Sequence, residues 1–385
     1  VSLSKAAARV LIVYGYQPSG HAAAAFSLEE AFRARGFLVD LVEVAGDHHP
    51  AAALAVARGY HSLLGAFPSV WGGLYASDGA RKVLSAVRRS YLRLGGGRRL
   101  TEGVARRAPD VVVCPQASVA AVFAAARKAG HLDVPVVGVM TDYGVHPFWA
   151  DPAADLVVVP TQEAADRLRA VGVPPDRSKI IGIPIHPAFA VPQDRVKARV
   201  DLGLPSAAPV VLVSGGSKGF GAVDRTAAAV LQACPRASVL VLCGANDGLR
   251  RALSARRESG ARLRVFGPQP PAFVATLLAS ADLHVGKPGG LTAAESLAVG
   301  VPMVLSRPLP GQEEGNARHL LRVGAAVEGG SPVESARAAS KLLGERARLA
   351  AMRASAASAG RPDAARLVVD AVAGLTHAAR TARIS

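Results

Sequence analysis

The chain has 385 residues, more than one compact domain usually holds, so two domains of about 150–200 residues each are expected. Half of the residues are apolar, yet no apolar run approaches the roughly 20 residues of a spanning helix, which argues against an integral membrane protein. The net charge of +16 calls for an anionic partner; scarce aromatics and the lack of an RNA-binding signature turn that expectation from nucleic acid toward an acidic lipid surface or a phosphorylated substrate.

The opening VSLSKAAARVLIVYGYQPSGH runs from one basic cluster into a strand, unlike a cleaved secretory signal, so a cytoplasmic protein is expected. Its first strand, ARVLIVYG, ends in a Gly-bearing turn, and a helix starting near Gly20 and His21 sets that histidine at a helix N-terminus. FLVDLVEV is the second strand. Phe67, Trp71, Leu74 and Tyr75 follow, and from Arg81 to Arg107 nine basic residues face one acid, Glu102. Val83, Leu84, Val87, Tyr91 and Leu94 recur there at helical spacing. That pattern fits a basic amphipathic helix lying on an anionic bilayer, or a core-facing helix with a solvated basic face. DVVVCP, VPVVGVMT and DLVVVPT complete a first doubly wound domain.

A proline- and charge-rich stretch near 185–207 reads as the linker. PVVLVSGGS, SVLVLCGA, RLRVFGP, ADLHVGK and VPMVLSRP then build a second domain of the same kind. The expected division is 1–190, 205–355 and a helical tail over 356–385 with a frayed end. The fold class is α/β, with two doubly wound Rossmann-like domains facing a central cleft, and ligands are expected at the carboxyl ends of the strands. The three cysteines, Cys114, Cys234 and Cys243, are odd in number and without CxxC spacing, and read as buried thiols.

The turn SGGSKGFG places Ser217 and Lys218 in a Gly-rich loop able to cradle a diphosphate, although it is neither a Walker sequence nor GxGxxG. KPGGLTAAE is more specific. Lys287, Pro288, Gly289 and Gly290 make a turn with little side-chain bulk, and the amides of Gly289, Gly290 and Leu291 with the Thr292 hydroxyl form an anion site at a helix start. Glu295 lies one turn deeper, where a carboxylate can accept from vicinal hydroxyls. Phosphate followed by a diol is what a nucleoside diphosphate presents. Gln312, Glu313 and Asn316 in the next loop suit sugar hydroxyls.

With KPGGLTAAESLAVGVPMVL, PGQEEGNA, VMTDYGVHPFW, GIPIHPAF and VLVSGGSKGFG in this order, the chain resembles the monogalactosyldiacylglycerol synthase and processive diacylglycerol glucosyltransferase family, relatives of the peptidoglycan N-acetylglucosaminyl transferase. The resemblance runs over about residues 9–325. It implies a GT-B fold and an inverting transfer of glucose or galactose from a UDP-sugar to diacylglycerol or another glycerolipid, without a metal or other cofactor. It further implies that Phe266, Gly267 and Pro268 border the uracil, Ser217 and Lys218 the phosphate side, Gly289 to Thr292 the diphosphate and Glu295 the ribose. Gln312 and Glu313 would hold the hexose, and Gly20, His21, Asp142, His146 and Trp149 match acceptor-side positions. The chain departs from the family in having Gln17-Pro18-Ser19-Gly20 where a glycine run is usual.

No Asp-x-Asp pair is present to hold a bridging cation, so amides, a helix dipole and Lys218 must stabilise the leaving group. His21, Asp142 and His146 are the candidate bases, with His21 favoured because an ordinary histidine titrates near working pH. The expected partners are a UDP-sugar, a lipid acceptor and the cytoplasmic face of an anionic membrane. The rival readings are a polyprenyl-linked or sterol acceptor, a UDP-sugar epimerase, and a binding module without turnover.

Overall fold

A computed structural model describes residues 7–44, 97–146, 149, 154–255, 262–309, 311 and 313–384. The first sheet contains β1 (Arg9–Tyr14), β2 (Leu38–Glu43), β3 (Val111–Cys114), β4 (Val136–Val139), β5 (Leu156–Val159) and β6 (Ser178–Ile180), in spatial order β2-β1-β3-β4-β5-β6. The second contains β7 (Val210–Ser214), β8 (Ser238–Leu242), β9 (Leu263–Phe266), β10 (Leu283–Gly286), β11 (Met303–Ser306) and β12 (Ala326–Gly330), in order β12-β11-β10-β7-β8-β9. All pairings are parallel. Helices cover both faces of such a sheet, which is why β3, β4, β5 and β7 are buried along their whole length and read as unbroken Val-rich text.

All ten expected strands are present. The two that the sequence does not announce lie at sheet edges: β6 is the three residues SKI, two of them exposed, and β12 reads AVEGG, so neither carries an apolar run.

In chain order the helices are α1 (Gly20–Ala34), α2 (Gly97–Arg107), α3 (Ala117–Lys128), α4 (Gln162–Ala170), α5 (Arg195–Asp201), α6 (Val223–Ala233), α7 (Asp247–Ser254), α8 (Pro271–Ser280), α9 (Gly290–Val299), α10 (Glu314–Arg322), α11 (Pro332–Gly344), α12 (Arg346–Ala359) and α13 (Ala364–Ile384). The basic stretch expected to be helical is described only at its end, as α2; its earlier part, with Phe67, Trp71, Leu74 and Tyr75, lies outside the described residues. Among the described residues no helix is long and apolar enough to cross a membrane. Cys114, Cys234 and Cys243 are all buried and unpaired, as expected.

The domain limits differ from those expected. Ile185, Phe189, Leu202 and Leu204 of the linker, with Ile183 just before it, are buried in the core beneath α8 and α9, so this stretch is packed onto the second domain. The expected boundary at 356 falls inside α12, whose Ala356 packs with Ala293 and Leu297 of α9. Beyond Gly360 the chain returns to the first domain, where Ala364, Val368, Val369 and Val372 of α13 join Val10, Ile12, Leu28 and Phe32. The last helix is therefore part of the first domain's core and not a tail.

In each sheet the chain reverses its direction of growth at one place, between β1 and β3 in the first and between β7 and β10 in the second. Such switch points open a crevice outside the carboxyl ends of the strands.

Candidate active site

A cleft of about 630 Å³ lies between the two switch points. It is lined from the first domain by the turn after β1 with the start of α1, and by Thr141 and Asp142 after β4; the second domain contributes the turns after β7 and β10. Of the residues singled out in the sequence, Gly20, His21, Asp142, Ser217, Lys218, Gly267, Pro268, Lys287, Gly289, Gly290, Leu291, Thr292, Glu295 and Glu313 all line it.

Trp149, Phe266, His146 and Asn316 do not join them. Trp149 is buried in the first domain's core, and a Cβ on Gly138 of β4 would lie 2.8 Å from its ring, so it packs beneath the sheet end. Phe266 ends β9 with its ring against Phe273, 5.5 Å between centroids, and leaves the rim to Gly267 and Pro268. His146 is half-buried and does not line the cleft, and its pKa is pushed down to about 4, mostly by burial and in part by the charge of His21. Gln312 lies outside the described residues.

His21 sits in the first turn of α1, which Ser19 caps by accepting the Ala22 amide at 3.1 Å. The histidine is thereby free of capping duty. Its Nδ1 lies 3.0 Å from the carbonyl oxygen of Pro115, just after β3, and 2.9 Å from Thr141 Oγ1. Burial pushes its pKa down to about 4, so the ring is neutral at pH 7.

Asp142, one of the candidate bases, does not hold His21; Thr141 and Pro115 do. Its carboxylate instead reaches across the cleft, accepting from Asn316 Nδ2 at 2.8 Å and from the Gly290 amide. Burial, with a contribution from nearby Glu313, raises its pKa to about 7. Asn316 is likewise not available to a sugar, since it is fully buried and both ends of its amide are engaged.

On the opposite wall, Gly289 is the N-cap of α9 and no side chain caps this helix. The anion site is smaller than expected, because the Gly289 amide donates to the Lys287 carbonyl at 2.9 Å and the Gly290 amide to Asp142. The amides of Leu291 and Thr292 remain, in a first turn that offers them no intrahelical acceptor. Gly290 is required for a different reason from the one anticipated. A Cβ there would fall 1.9 Å from the Thr141 carbonyl oxygen, so glycine is what lets the first domain touch the start of α9.

Glu295 faces the cleft one turn into α9, its pKa raised to about 8 by burial. Lys287 pairs with Glu313, whose second carboxylate oxygen accepts the Leu309 amide at 2.9 Å. Lys218 lies over the Tyr16 ring at 4.7 Å, a contact between the Gly-rich loop of one domain and the first turn of the other.

Sequence reasoning missed His284, which lines the cleft from within β10, with Nε2 2.8 Å from Ser214 Oγ and Nδ1 2.9 Å from Ser296 Oγ. A histidine amid the apolar residues of ADLHVGK was the available signal. It also missed Thr141, whose role depends on a partner 120 positions away.

Residues 21–185 match the sequence profile of the family described as monogalactosyldiacylglycerol (MGDG) synthase. A processive diacylglycerol β-glucosyltransferase of Bacillus cereus is 27% identical over 372 residues, spanning 96% of this chain and 94% of that one. The enzyme of the same description from Bacillus cytotoxicus gives the same identity and coverage. The chain is thus similar in sequence to these diacylglycerol glycosyltransferases along nearly its whole length. Among solved structures, MurG of Acinetobacter baumannii superposes with a TM-score of 0.62 at 17% identity, covering 95% of this chain and 99% of that one. A putative UDP-N-acetylglucosamine 2-epimerase of Listeria monocytogenes gives 0.63 at 14% identity, covering 95% and 96%. Anabaena HepE, in complex with UDP, gives 0.55 at 16%, covering 95% and 100%. At these identities the structures show the fold alone, which is the GT-B arrangement of two doubly wound domains.

Proposed function

We propose that this chain is a glycosyltransferase that moves a hexose from UDP-glucose or UDP-galactose to a hydroxyl of diacylglycerol, with inversion and without a catalytic metal. The observation that carries the proposal is the apposition of two unlike walls in one cleft. One presents a neutral histidine held through Nδ1, and the other presents the uncapped start of α9 followed by Glu295. The donor fits the second wall: diphosphate oxygens take the Leu291 and Thr292 amides and the Thr292 hydroxyl, and Glu295 accepts from the ribose hydroxyls. The similarity to enzymes named for diacylglycerol supports the acceptor, and a fold neighbour crystallised with UDP supports the donor.

The lipid hydroxyl oxygen attacks the anomeric carbon from the His21 side. Nε2 takes the hydroxyl proton as the new carbon–oxygen bond forms. The bond to the β-phosphate breaks on the opposite face, and UDP leaves with the electron pair. The negative charge that develops there meets the positive end of α9 and the Lys218 cation. The net charge of +16 and the basic residues of α2 suit docking on the cytoplasmic face of an anionic membrane, where diacylglycerol is presented.

The test is incubation with diacylglycerol in anionic liposomes containing EDTA, with UDP-glucose and UDP-galactose offered separately and lipids read by mass spectrometry. A hexosyl-diacylglycerol is expected with at least one donor. UDP release without glycolipid, or a sugar isomer formed without lipid, would reject the reading.

A further inference from the structure

Asn316 is fully buried, and it spends both ends of its side chain on the other domain. Its Oδ1 accepts the Tyr143 amide at 2.6 Å, and its Nδ2 donates to Asp142 Oδ1 at 2.8 Å. Only an amide of this length offers an acceptor and a donor to two such groups; a carboxylate supplies the first and repels the second. The rest of α10 continues the contact. Tyr143 stacks on His319 with centroids 4.0 Å apart and planes at 9°. A Cβ on Gly315 would lie 2.5 Å from the Cα of Gly144, so these two backbones touch. At the end of the helix Arg322 pairs with Glu163 of α4. One helix of the second domain is thus seamed to the loop that follows β4 of the first.

That seam joins the two halves of the chemistry. Thr141, next to Asp142, holds His21 Nδ1 at 2.9 Å. Glu313, three residues before Asn316, stands at the N-cap position of α10 and pairs with Lys287 beside the donor turn. Asp142 completes the circuit by accepting the Gly290 amide at the start of α9. With two donors converging on its carboxylate, Asp142 is the other half of a clamp.

We propose that Asn316 is a positioning residue which, through Asp142 and the Tyr143 amide, locks the two domains at the spacing that sets His21 against the donor site. The proposal rests on the transferase reading above and assigns Asn316 a different task from binding the hexose.

The test is a pair of variants. N316D keeps the acceptor for the Tyr143 amide, removes the donor, and opposes two carboxylates. It should lower kcat by about 10²-fold, the cost typical of a misplaced reacting pair, and leave the Kd for UDP within about 3-fold of wild type. Small-angle scattering should show N316D more extended than wild type. The swap D142N/N316D restores a donor–acceptor pair in reverse, since the amide introduced at 142 donates to the carboxylate introduced at 316 and still accepts from Gly290. It should return to the compact form and recover kcat to within about 10-fold of wild type. A swap that is compact yet as slow as N316D would overturn the proposal and return Asp142 to the chemistry; so would N316D with wild-type kcat and a wild-type scattering curve. If wild type itself makes no glycolipid, the transferase reading fails, and the scattering of the three proteins still decides the clamp.

Discussion

His21 Nδ1 lies 3.0 Å from the Pro115 carbonyl oxygen, and that single contact settles which end of the ring can accept a proton. A carbonyl oxygen only accepts, so Nδ1 carries the hydrogen and Nε2 keeps its lone pair. With the ring's pKa pushed down to about 4, the base form dominates throughout the physiological range. Exchanging His21 for alanine should lower kcat by about 10²–10⁴-fold and leave UDP binding unchanged, as titration calorimetry would show. Histidine protonation should depress kcat/KM only as pH falls toward about 4.

Glu295 titrates in the opposite sense. Burial holds its pKa near 8, so at pH 7 the carboxyl of the free protein is mostly protonated, whereas accepting from two ribose hydroxyls favours the carboxylate. UDP binding at pH 7 should therefore release a proton, and affinity should rise with pH until about pH 8 is passed. Calorimetry in buffers of different ionisation enthalpy measures this release. E295Q should bind UDP roughly 10-fold more weakly, a loss of about 1.4 kcal/mol, and show no such pH dependence.

Gly290→Ala should act on turnover more than on folding. The added methyl meets the Thr141 carbonyl oxygen and forces the first domain from the start of α9. We expect kcat to fall by about 10²-fold with a cooperative thermal transition retained, read from initial rates and circular dichroism.

The Lys287 and Glu313 pair is buried enough that removing one partner strands the other charge. K287M should cost about 3–5 kcal/mol of stability in urea unfolding, and K287M/E313L should recover most of it.

Stability should peak near neutral pH. The four histidines at 21, 146, 284 and 319 have pKa values pushed down to about 4, so between 6.5 and 4 the unfolded chain binds more protons and stability falls with pH. Asp142 and Glu295 oppose this, because their folded pKa values of about 7 and 8 lie above the unfolded ones. Four groups outweigh two on the acid side, while above pH 7 only the carboxyls act and stability falls as they ionise. Urea midpoints at about pH 5, 7 and 9 should therefore be highest at the middle value.

The ten apolar strands were legible because parallel strands buried on both faces leave continuous Val-rich text, and the site turns because glycines and polar residues follow each strand in order. What could not be read was anything decided by contact between the domains. Asp142 and Asn316 are 174 positions apart, and the sequence offers no sign that each satisfies the other. The return of α13 to the first domain was hidden for the same reason: an Ala-rich amphipathic helix shows that it has a partner face, not which core receives it. Trp149 was expected on the acceptor side only because the resemblance implied it, whereas its large ring beside Gly138 fills a core gap.

The most direct test of the account is the anomeric configuration of the first glycolipid formed from a UDP-α-hexose and diacylglycerol liposomes in EDTA, read by proton NMR for wild type and for His21→Ala. A β-linked hexosyl-diacylglycerol from wild type, with little or none from the variant, is the predicted result. An α-linked product, or equal amounts of product from both proteins, would contradict direct displacement with His21 as its base.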